Sequence, residues 1–170
     1  MNIIVSNSAM TRKGLGKTIV VGLGITGFSC VRFLLKQGCD LLVVDSREQP
    51  PQLGAFKAQF PQVEVVLGAL DDSLLSSCDR LVLSPGVPVG NAAIQGALSA
   101  GVEVIGDIDL FRKNIKVPLV AITGSNGKST VTTLLGEMAE KAGLKVAIGG
   151  NLGIPALDLI NESVELYVLE

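Results

Sequence analysis

Two glycine-rich loops in the sequence have the residue types and spacing that bind phosphate groups. The first, residues 22–27, reads Gly-Leu-Gly-Ile-Thr-Gly and lies between an aliphatic run and a helical pattern. In that setting the first glycine permits a tight turn, and the second lets the backbone approach a diphosphate. The third lets helix and strand pack closely, while the helix N-terminus offers free N–H groups. The loop is therefore a candidate diphosphate site.

An acidic residue stands where the next predicted strand ends. Asp45 is followed by Ser46 and Arg47, and an acid at that distance from such a loop usually meets a ribose or a base. This local pattern is the dinucleotide fingerprint, so NAD(P) is one interpretation, with Arg47 as a partner for a 2′-phosphate. The loop alone does not distinguish NAD(P) from another nucleotide that carries a diphosphate.

The second loop, residues 123–130, reads Thr-Gly-Ser-Asn-Gly-Lys-Ser-Thr. Backbone N–H groups in such a loop cradle phosphates, Lys128 can neutralise β- and γ-phosphate oxygens, and the Ser129 hydroxyl can hold Mg²⁺. The common G-x-x-x-x-G-K-[ST] pattern is not met, because Ile122 stands where its first glycine belongs. A dehydrogenase needs only the first loop and a simple kinase only the second. An enzyme that uses ATP to activate a nucleotide-linked substrate needs both.

The stretch 121–130 resembles the shortened phosphate loop of the Mur ligase family, which also includes folylpolyglutamate synthase. Segments 22–27, 45–47, 84–86 and 149–151 extend the resemblance from about residue 17 to residue 170. It implies a cytoplasmic, ATP- and Mg²⁺-dependent ligase of peptidoglycan synthesis. The implied substrates are UDP-N-acetylmuramoyl-L-alanine, D-glutamate and ATP. The substrate carboxylate becomes an acyl phosphate, which the amine attacks to give an amide, ADP and phosphate.

The resemblance also implies roles for individual residues. Lys128 would be the catalytic residue at the ATP phosphates, and Ser129 and Glu170 would hold the metal. The UDP-sugar would be bound by Gly24, Ile25, Thr26, Gly27, Asp45, Ser46, Arg47, Ser84, Pro85, Gly86 and Asn151. ATP would be bound by Gly124, Ser125, Asn126, Gly127, Lys128, Ser129 and Thr130.

Strands and helices that alternate must position these loops. Strands are predicted at 18–21, 41–44, 63–67, 80–83, 102–105, 119–122, 146–148 and 166–169. Apolar residues at helical spacing follow the first loop (Phe28, Val31, Leu34, Leu35) and the second (Val131, Leu134, Leu135, Met138, Ala142). The alternation predicts an α/β fold with parallel sheets. The first ten residues are predicted to be a disordered lead-in.

A domain boundary is predicted near Gly106. Residues 1–106 would form a Rossmann-like UDP-substrate domain, and residues 107–170 the truncated start of a P-loop ATPase domain. The family's later histidine ligand, carbamylated lysine and amino-acid site would lie beyond this chain, which contains no histidine. We therefore expect the chain alone not to ligate, and its exposed sheet edge to favour self-association.

Composition excludes several function classes. Of the 170 residues 48% are hydrophobic and 18% charged, and the net charge is −2, with basic residues scattered rather than clustered. These values predict a folded protein that binds no nucleic acid. No apolar run reaches the roughly 18 residues that a membrane span needs. The three cysteines are predicted to be reduced core thiols, as is usual in the cytosol. A nicotinamide oxidoreductase and a non-catalytic nucleotide-binding module are the alternative interpretations.

Overall fold

The computed structural model describes residues 16–151 and 153–170, within which the chain forms two parallel sheets with helices packed on them. The strands are β1 Thr18–Val21, β2 Leu41–Asp45, β3 Glu64–Leu67, β4 Arg80–Leu83, β5 Glu103–Gly106, β6 Leu119–Ala121, β7 Val146–Gly149 and β8 Leu166–Leu169. The helices are α1 Ile25–Lys36, α2 Leu53–Gln59, α3 Asp72–Leu75, α4 Ala92–Ser99, α5 Asp107–Lys113 and α6 Lys128–Lys141, with a 3₁₀ helix at Ala156–Leu159. Each predicted strand is confirmed, with its ends within one residue. The predicted lead-in, residues 1–10, lies outside the described residues.

The first sheet has the strand order β3-β2-β1-β4-β5, with every neighbouring pair parallel. Its central strand β1 is buried along its whole length. Because side chains alternate across a strand, Ile19 and Val21 enter one apolar layer with α3 and α4, and Val20 enters the other layer with α1 and α2. Helices on both faces explain why this strand is a continuous aliphatic run.

The strand order places the first loop at a crevice. Strand β2 pairs with one edge of β1, and β4 pairs with its other edge. At such a switch point the loops that follow the two adjacent strands diverge, and ligands bind between them at the carboxyl ends. The sheet therefore opens a crevice beside residues 22–27.

The second sheet has the order β6-β8-β7, again parallel. Helix α6 approaches β7 so closely that a Cβ on Gly136 would lie 2.1 Å from Cδ1 of Ile148. Its buried residues are Thr132, Gly136 and Ala139. Small side chains therefore form the packing face of α6.

The apolar face that helical spacing indicated on α6 does not cover the sheet. Val131 is 52% exposed, Leu134 55% and Met138 59%. The larger side chains point away because close contact with β7 is possible only through the small residues. The helix itself is predicted correctly, and so is its end before Gly143, but its packed face is not. In α1 the predicted face is correct, since Phe28, Val31 and Leu34 are buried.

The two sheets share an apolar core. The ring of Phe111 on α5 packs edge-on against Tyr167 on β8, with centroids 5.0 Å apart. Arg32 on α1 forms an ion pair with Asp158 in the 3₁₀ helix, and its guanidinium lies 4.6 Å from the centroid of the Phe28 ring. The buried cluster that begins at Val20 in the first sheet thus extends to β8. Over the described residues, no helix is both long and apolar enough to span a bilayer.

Replacing Thr132 by valine is expected to stabilise the chain by about 1 kcal/mol, because a buried hydroxyl without a partner carries a desolvation penalty. Thr132 is fully buried, and its Oγ1 atom has no hydrogen-bond partner among the described residues. Urea unfolding would measure the change. Thr133→Val, at an exposed position of the same helix, is the control and should change stability little. A lower midpoint for Thr132→Val would mean that the hydroxyl is satisfied.

Candidate functional site

A cleft of about 400 Å³ lies at the carboxyl ends of β1, β2 and β4. A cavity of this size suits a small organic ligand. Its walls mix backbone and polar groups with aliphatic side chains. The lining residues are Val21, Gly22, Gly24, Ile25, Thr26, Asp45, Ser46, Arg47, Leu70, Ser84, Pro85, Gly86, Val87, Pro88, Asn91 and Asn151. The sheet thus brings together three separate segments that the sequence analysis singled out, and adds Asn151 from the second half of the chain.

One predicted contact residue, Gly27, does not line the cleft. It is buried in the first turn of α1, where a Cβ would lie 1.8 Å from the carbonyl oxygen of Gly22. Gly27 therefore supports the loop from beneath and lets α1 approach β1.

Five lining residues were missed by the sequence analysis: Val21, Leu70, Val87, Pro88 and Asn91. Asn91 had a detectable signal, because an asparagine directly before a helical run is a favoured N-cap. Its Oδ1 atom accepts a hydrogen bond from the backbone N–H of Ala93 at 3.0 Å. The others are apolar or turn residues with no signal of their own.

Internal hydrogen bonds hold the first loop in shape. Gly22 has a φ of 97°, in the left-handed region that glycine tolerates. Its carbonyl oxygen accepts a hydrogen bond from Oγ of Ser84 at 2.8 Å, which ties the loop to the turn after β4. The backbone N–H of Leu23 donates to Oδ2 of Asp45 at 2.6 Å. The loop is thus fixed from both neighbouring strands.

The buried carboxylate of Asp45 organises one wall of the cleft. Besides Leu23, it accepts hydrogen bonds from the backbone N–H and the Nε of Arg47, both at 2.9 Å, and from Nη2 of Arg47 at 2.7 Å. Burial alone would raise the pKa of Asp45, but the hydrogen bonds from Arg47 and Leu23 outweigh it and hold the pKa below its ordinary value. Both carboxylate oxygens are therefore engaged within the chain, while the Arg47 side chain stays half exposed at the cleft.

Asp45→Asn is expected to destabilise the chain by about 1–2 kcal/mol at pH 7, since hydrogen bonds to a charged group are the stronger ones. The folded-state pKa of Asp45 lies below the unfolded value. Its charge therefore contributes stability above that unfolded value, near pH 4, and the contribution is lost as the pH falls through the folded pKa. Urea midpoints from pH 7 to pH 3 should converge for the two proteins. Asp40→Asn, at an exposed carboxylate, is the control. A gap that is constant with pH would contradict this explanation.

The second loop joins β6 to α6 and uses backbone conformations that favour glycine. Gly124 has a φ of 150° and Gly127 a φ of 72°. The helix starts at Lys128, so its free N–H groups face the loop, as in other phosphate-binding helix starts. The predicted ATP-binding residues thus form one continuous turn at a helix N-terminus.

The two predicted metal ligands meet beside this loop. Oγ of Ser129 donates to Oε2 of Glu170 at 2.5 Å. Hydrogen bonds from Ser129 and Asn151, together with the charge of Lys128, hold the pKa of Glu170 below its ordinary value.

Adjacent hydroxyl and carboxylate oxygens are ligands that Mg²⁺ accepts. The described residues contain no cluster of three or more histidine, cysteine or acidic side chains that could hold a metal. Mg²⁺ is usually held by only one or two protein groups, and the oxygens of Ser129 and Glu170 fit that requirement.

Asn151 lies between the two regions. It lines the cleft, and its Nδ2 atom lies 3.4 Å from Oε1 of Glu170. Its backbone N–H donates to the carbonyl oxygen of Glu170 at 3.2 Å, and the N–H of Glu170 donates to Gly149 at 3.0 Å. A Cβ on Gly150 would lie 2.8 Å from the carbonyl oxygen of Glu170. The loop from β7 is thus held tightly against the end of β8.

Residues 16–106 match the family model described as Mur ligase MurD-like, N-terminal domain. The chain belongs to the Mur ligase family. Among relatives of this Mur ligase chain, the UDP-N-acetylmuramoylalanine--D-glutamate ligase of Pseudomonas aeruginosa is 56% identical over 152 residues, which cover 89% of this chain and 34% of the relative. The ligase of the same name from Marinobacter nauticus is 53% identical over 154 residues, which cover 91% and 34%. The chain thus spans about a third of the length of the relatives it matches.

Solved Mur ligase structures share the fold. A pseudomurein peptide ligase type C from Methanothermus fervidus superposes with a TM-score of 0.51 and 26% identity, covering 90% of this chain and 32% of that one. A UDP-N-acetylmuramate:L-alanyl-gamma-D-glutamyl-meso-diaminopimelate ligase from Neisseria meningitides gives a TM-score of 0.57 at 18% identity, covering 92% and 52%. The predicted α/β fold and the resemblance to the Mur ligases are confirmed. The findings favour the Mur ligase interpretation of the first loop over the NAD(P) interpretation.

Proposed function

We propose that this Mur ligase chain is part of an ATP-dependent ligase. It would contain the domain that binds the UDP-linked substrate and the first portion of the ATP site. The full reaction would join D-glutamate to UDP-N-acetylmuramoyl-L-alanine through an acyl phosphate. The observation that carries the proposal is the placement of two different phosphate loops on two sheets that share one core, with Asn151 between them. Relatives named as D-glutamate ligases support the choice of substrates.

The cleft suits a nucleoside diphosphate that carries a sugar. We assign Gly24, Ile25 and Thr26 to the diphosphate, since they line the cleft where the loop meets the N-terminus of α1. Asp45, Ser46 and Arg47 would surround the uracil and ribose, with Asp45 acting chiefly through Arg47, which it holds in place.

The remaining predicted substrate contacts divide into two groups. Pro85 and Gly86 would line the cleft beside the ligand, and Asn151 would reach its sugar–diphosphate region. Ser84 and Gly27 would act by holding the loop from below.

The second loop suits ATP. Backbone N–H groups of residues 124–127 would cradle its phosphates, and Thr130, one turn into α6, would stand beside the nucleotide. Lys128 would neutralise charge on the γ-phosphoryl group as it transfers to the substrate carboxylate, which is otherwise a poor electrophile. Ser129 and Glu170 would hold Mg²⁺, which would offset the charge that develops on the phosphate oxygens.

Each of the two loops belongs to a different proposed domain of the chain. We assign residues 1–106 to the substrate domain and 107–170 to the start of the ATP domain. The groups that bind the incoming amino acid would come from outside these 170 residues. The chain alone should therefore bind the UDP-substrate but release no ADP in response to D-glutamate.

Calorimetric titration tests the proposed function directly. The chain is titrated with UDP-N-acetylmuramoyl-L-alanine, and with NADH as the comparison ligand. Binding of the UDP-sugar but not of NADH is the expected result, and Arg47→Ala should weaken it. Preference for NADH, or binding of neither ligand, would refute the proposal. ADP release that depends on D-glutamate would refute only the proposal that the amino-acid site lies outside these 170 residues.

We propose that the ligase is cytoplasmic, since ATP is available and thiols stay reduced in that compartment. The three cysteines are free and buried, in keeping with such a compartment.

We also propose weak self-association of the 170-residue chain through the second sheet and the exposed Val131, Leu134 and Met138 of α6. Sedimentation at increasing concentration should reveal it, and Leu134→Glu should suppress it.

A further inference from the structure

One side chain belongs to both candidate nucleotide sites. Asn151 lines the UDP-substrate cleft, and its amide donates to Oε1 of Glu170 at 3.4 Å. The other carboxylate oxygen of Glu170 accepts from Ser129 on the phosphate loop at 2.5 Å. A continuous path of side chains, Asn151–Glu170–Ser129, therefore links the cleft to the proposed Mg²⁺ ligands.

The bond between Asn151 and Glu170 is the weak step in that path. At 3.4 Å it is longer than the usual 2.9–3.0 Å of an N–H···O bond, whereas the backbone bonds from Asn151 to Glu170 and from Glu170 to Gly149 hold the main chains in place. The amide can therefore turn while the loop stays fixed. An amide that turns into the cleft can donate to a ligand there and no longer to Glu170.

We propose that Asn151 couples the two sites, so that the UDP-linked substrate and Mg²⁺-nucleotide each raise the affinity for the other. This inference rests on the proposed function and adds a regulatory link to it. In the unliganded chain either ligand must break the bond between Asn151 and Glu170. The UDP-linked substrate draws the amide away, and Mg²⁺ takes the carboxylate. The ligand that arrives second finds the bond already broken and binds more tightly.

The size of the effect follows from that single bond. A long, exposed hydrogen bond to a carboxylate corresponds to an affinity ratio of about three- to fivefold. Because linkage is reciprocal, the same factor must appear in both directions. The Mg²⁺-nucleotide affinity should therefore rise about three- to fivefold when the cleft is saturated, and the UDP-substrate affinity by the same factor at saturating Mg²⁺-nucleotide.

Calorimetry on the 170-residue chain tests the coupling without any turnover. The probes are UDP-N-acetylmuramoyl-L-alanine and Mg²⁺ with a non-hydrolysable ATP analogue, each titrated with and without the other. In Asn151→Ala the coupling factor should fall to about one, because no bond remains to be broken. In addition, Mg²⁺-nucleotide alone should bind this variant as tightly as it binds the saturated wild-type chain.

Asn91→Ser is the matched control. Asn91 also lines the cleft, and serine preserves the N-cap of α4. This variant should bind the UDP-substrate more weakly and keep the full coupling factor. If Asn151 is only a substrate contact, Asn151→Ala will lower UDP-substrate affinity equally with and without Mg²⁺-nucleotide, and the inference is wrong. Wild-type affinities that do not respond to the second ligand would overturn the coupling alone. Failure of the UDP-substrate to bind at all would overturn the proposed function and the coupling with it.

Discussion

Gly27→Ala should destabilise the chain by about 3 kcal/mol or more and abolish binding in the cleft. Inside a helix, alanine is ordinarily favoured over glycine by about 1 kcal/mol. Here that gain is outweighed, because the new Cβ would lie 1.8 Å from the carbonyl oxygen of Gly22 and 2.6 Å from Oγ of Ser84. The first of these atoms is backbone, so α1 must move away from β1, and overpacking of this kind is strongly destabilising. Urea unfolding measures the change in stability, and calorimetry with the UDP-substrate measures the loss of binding.

Gly24→Ala separates the structural role of these glycines from a role in binding. A Cβ at Gly24 has nothing within 4 Å, and Gly24 itself lines the cleft. This substitution should lower stability by about 1 kcal/mol or less, since it changes only the N-cap residue of α1. It should still weaken UDP-substrate binding, because the added methyl group keeps a diphosphate away from the backbone. Equal losses of stability in the two variants would show that the contact with Gly22 is not what limits position 27.

Lys128→Ala should lower the affinity for Mg²⁺-nucleotide about 30- to 150-fold and leave the fold intact. Lys128 is the first residue of α6 and directly follows Gly127 of the phosphate loop. Hydrogen bonds between an ammonium group and phosphate oxygens are charge-assisted and contribute about 2–3 kcal/mol, which corresponds to the expected fold-change. Titration with the non-hydrolysable ATP analogue measures it, and circular dichroism checks the fold.

Lys141→Ala is the control for that substitution. Lys141 lies in the last turn of the same helix, so its removal changes the net charge equally without touching the phosphate loop. It should leave nucleotide affinity within about twofold, because exposed charges beyond a Debye length are largely screened. Similar losses in both variants would mean that general electrostatic attraction, rather than a direct contact, accounts for the role of Lys128.

The strands were predictable because each is a short, mainly aliphatic run with a glycine, proline or charged residue at one end or both. Such runs are the pattern expected of strands in a parallel sheet that helices cover on both faces. The two loops were equally clear, since a glycine pattern between a strand and a helix has few structural alternatives. What spacing could not show is how their side chains are used. Asp45 lies at the distance expected for a ligand contact, yet Leu23 and Arg47 engage both of its oxygens.

The packed face of α6 was not predictable for a different reason. Periodicity weights large apolar side chains, and those on α6 point outward. The face that meets β7 depends on Gly136, whose importance appears only in its contact with Ile148. Likewise, Leu70 and Val87 line the cleft through the path of the chain rather than through any local pattern. Contacts between distant segments decide these features, and single-sequence patterns carry little information on them.

The strand order also bears on how the chain folds as it leaves the ribosome. The central strand β1 is made first, but one of its two neighbours is β4, with Thr18 opposite Arg80. At roughly 5–20 residues per second, about 3–12 s pass before that partner has been synthesised. During this interval one edge of an aliphatic strand stays open to other chains. Helix α1, whose docking Gly27 allows, covers one face of β1. It therefore reduces the apolar surface that the nascent chain exposes during this interval, before any nucleotide is bound.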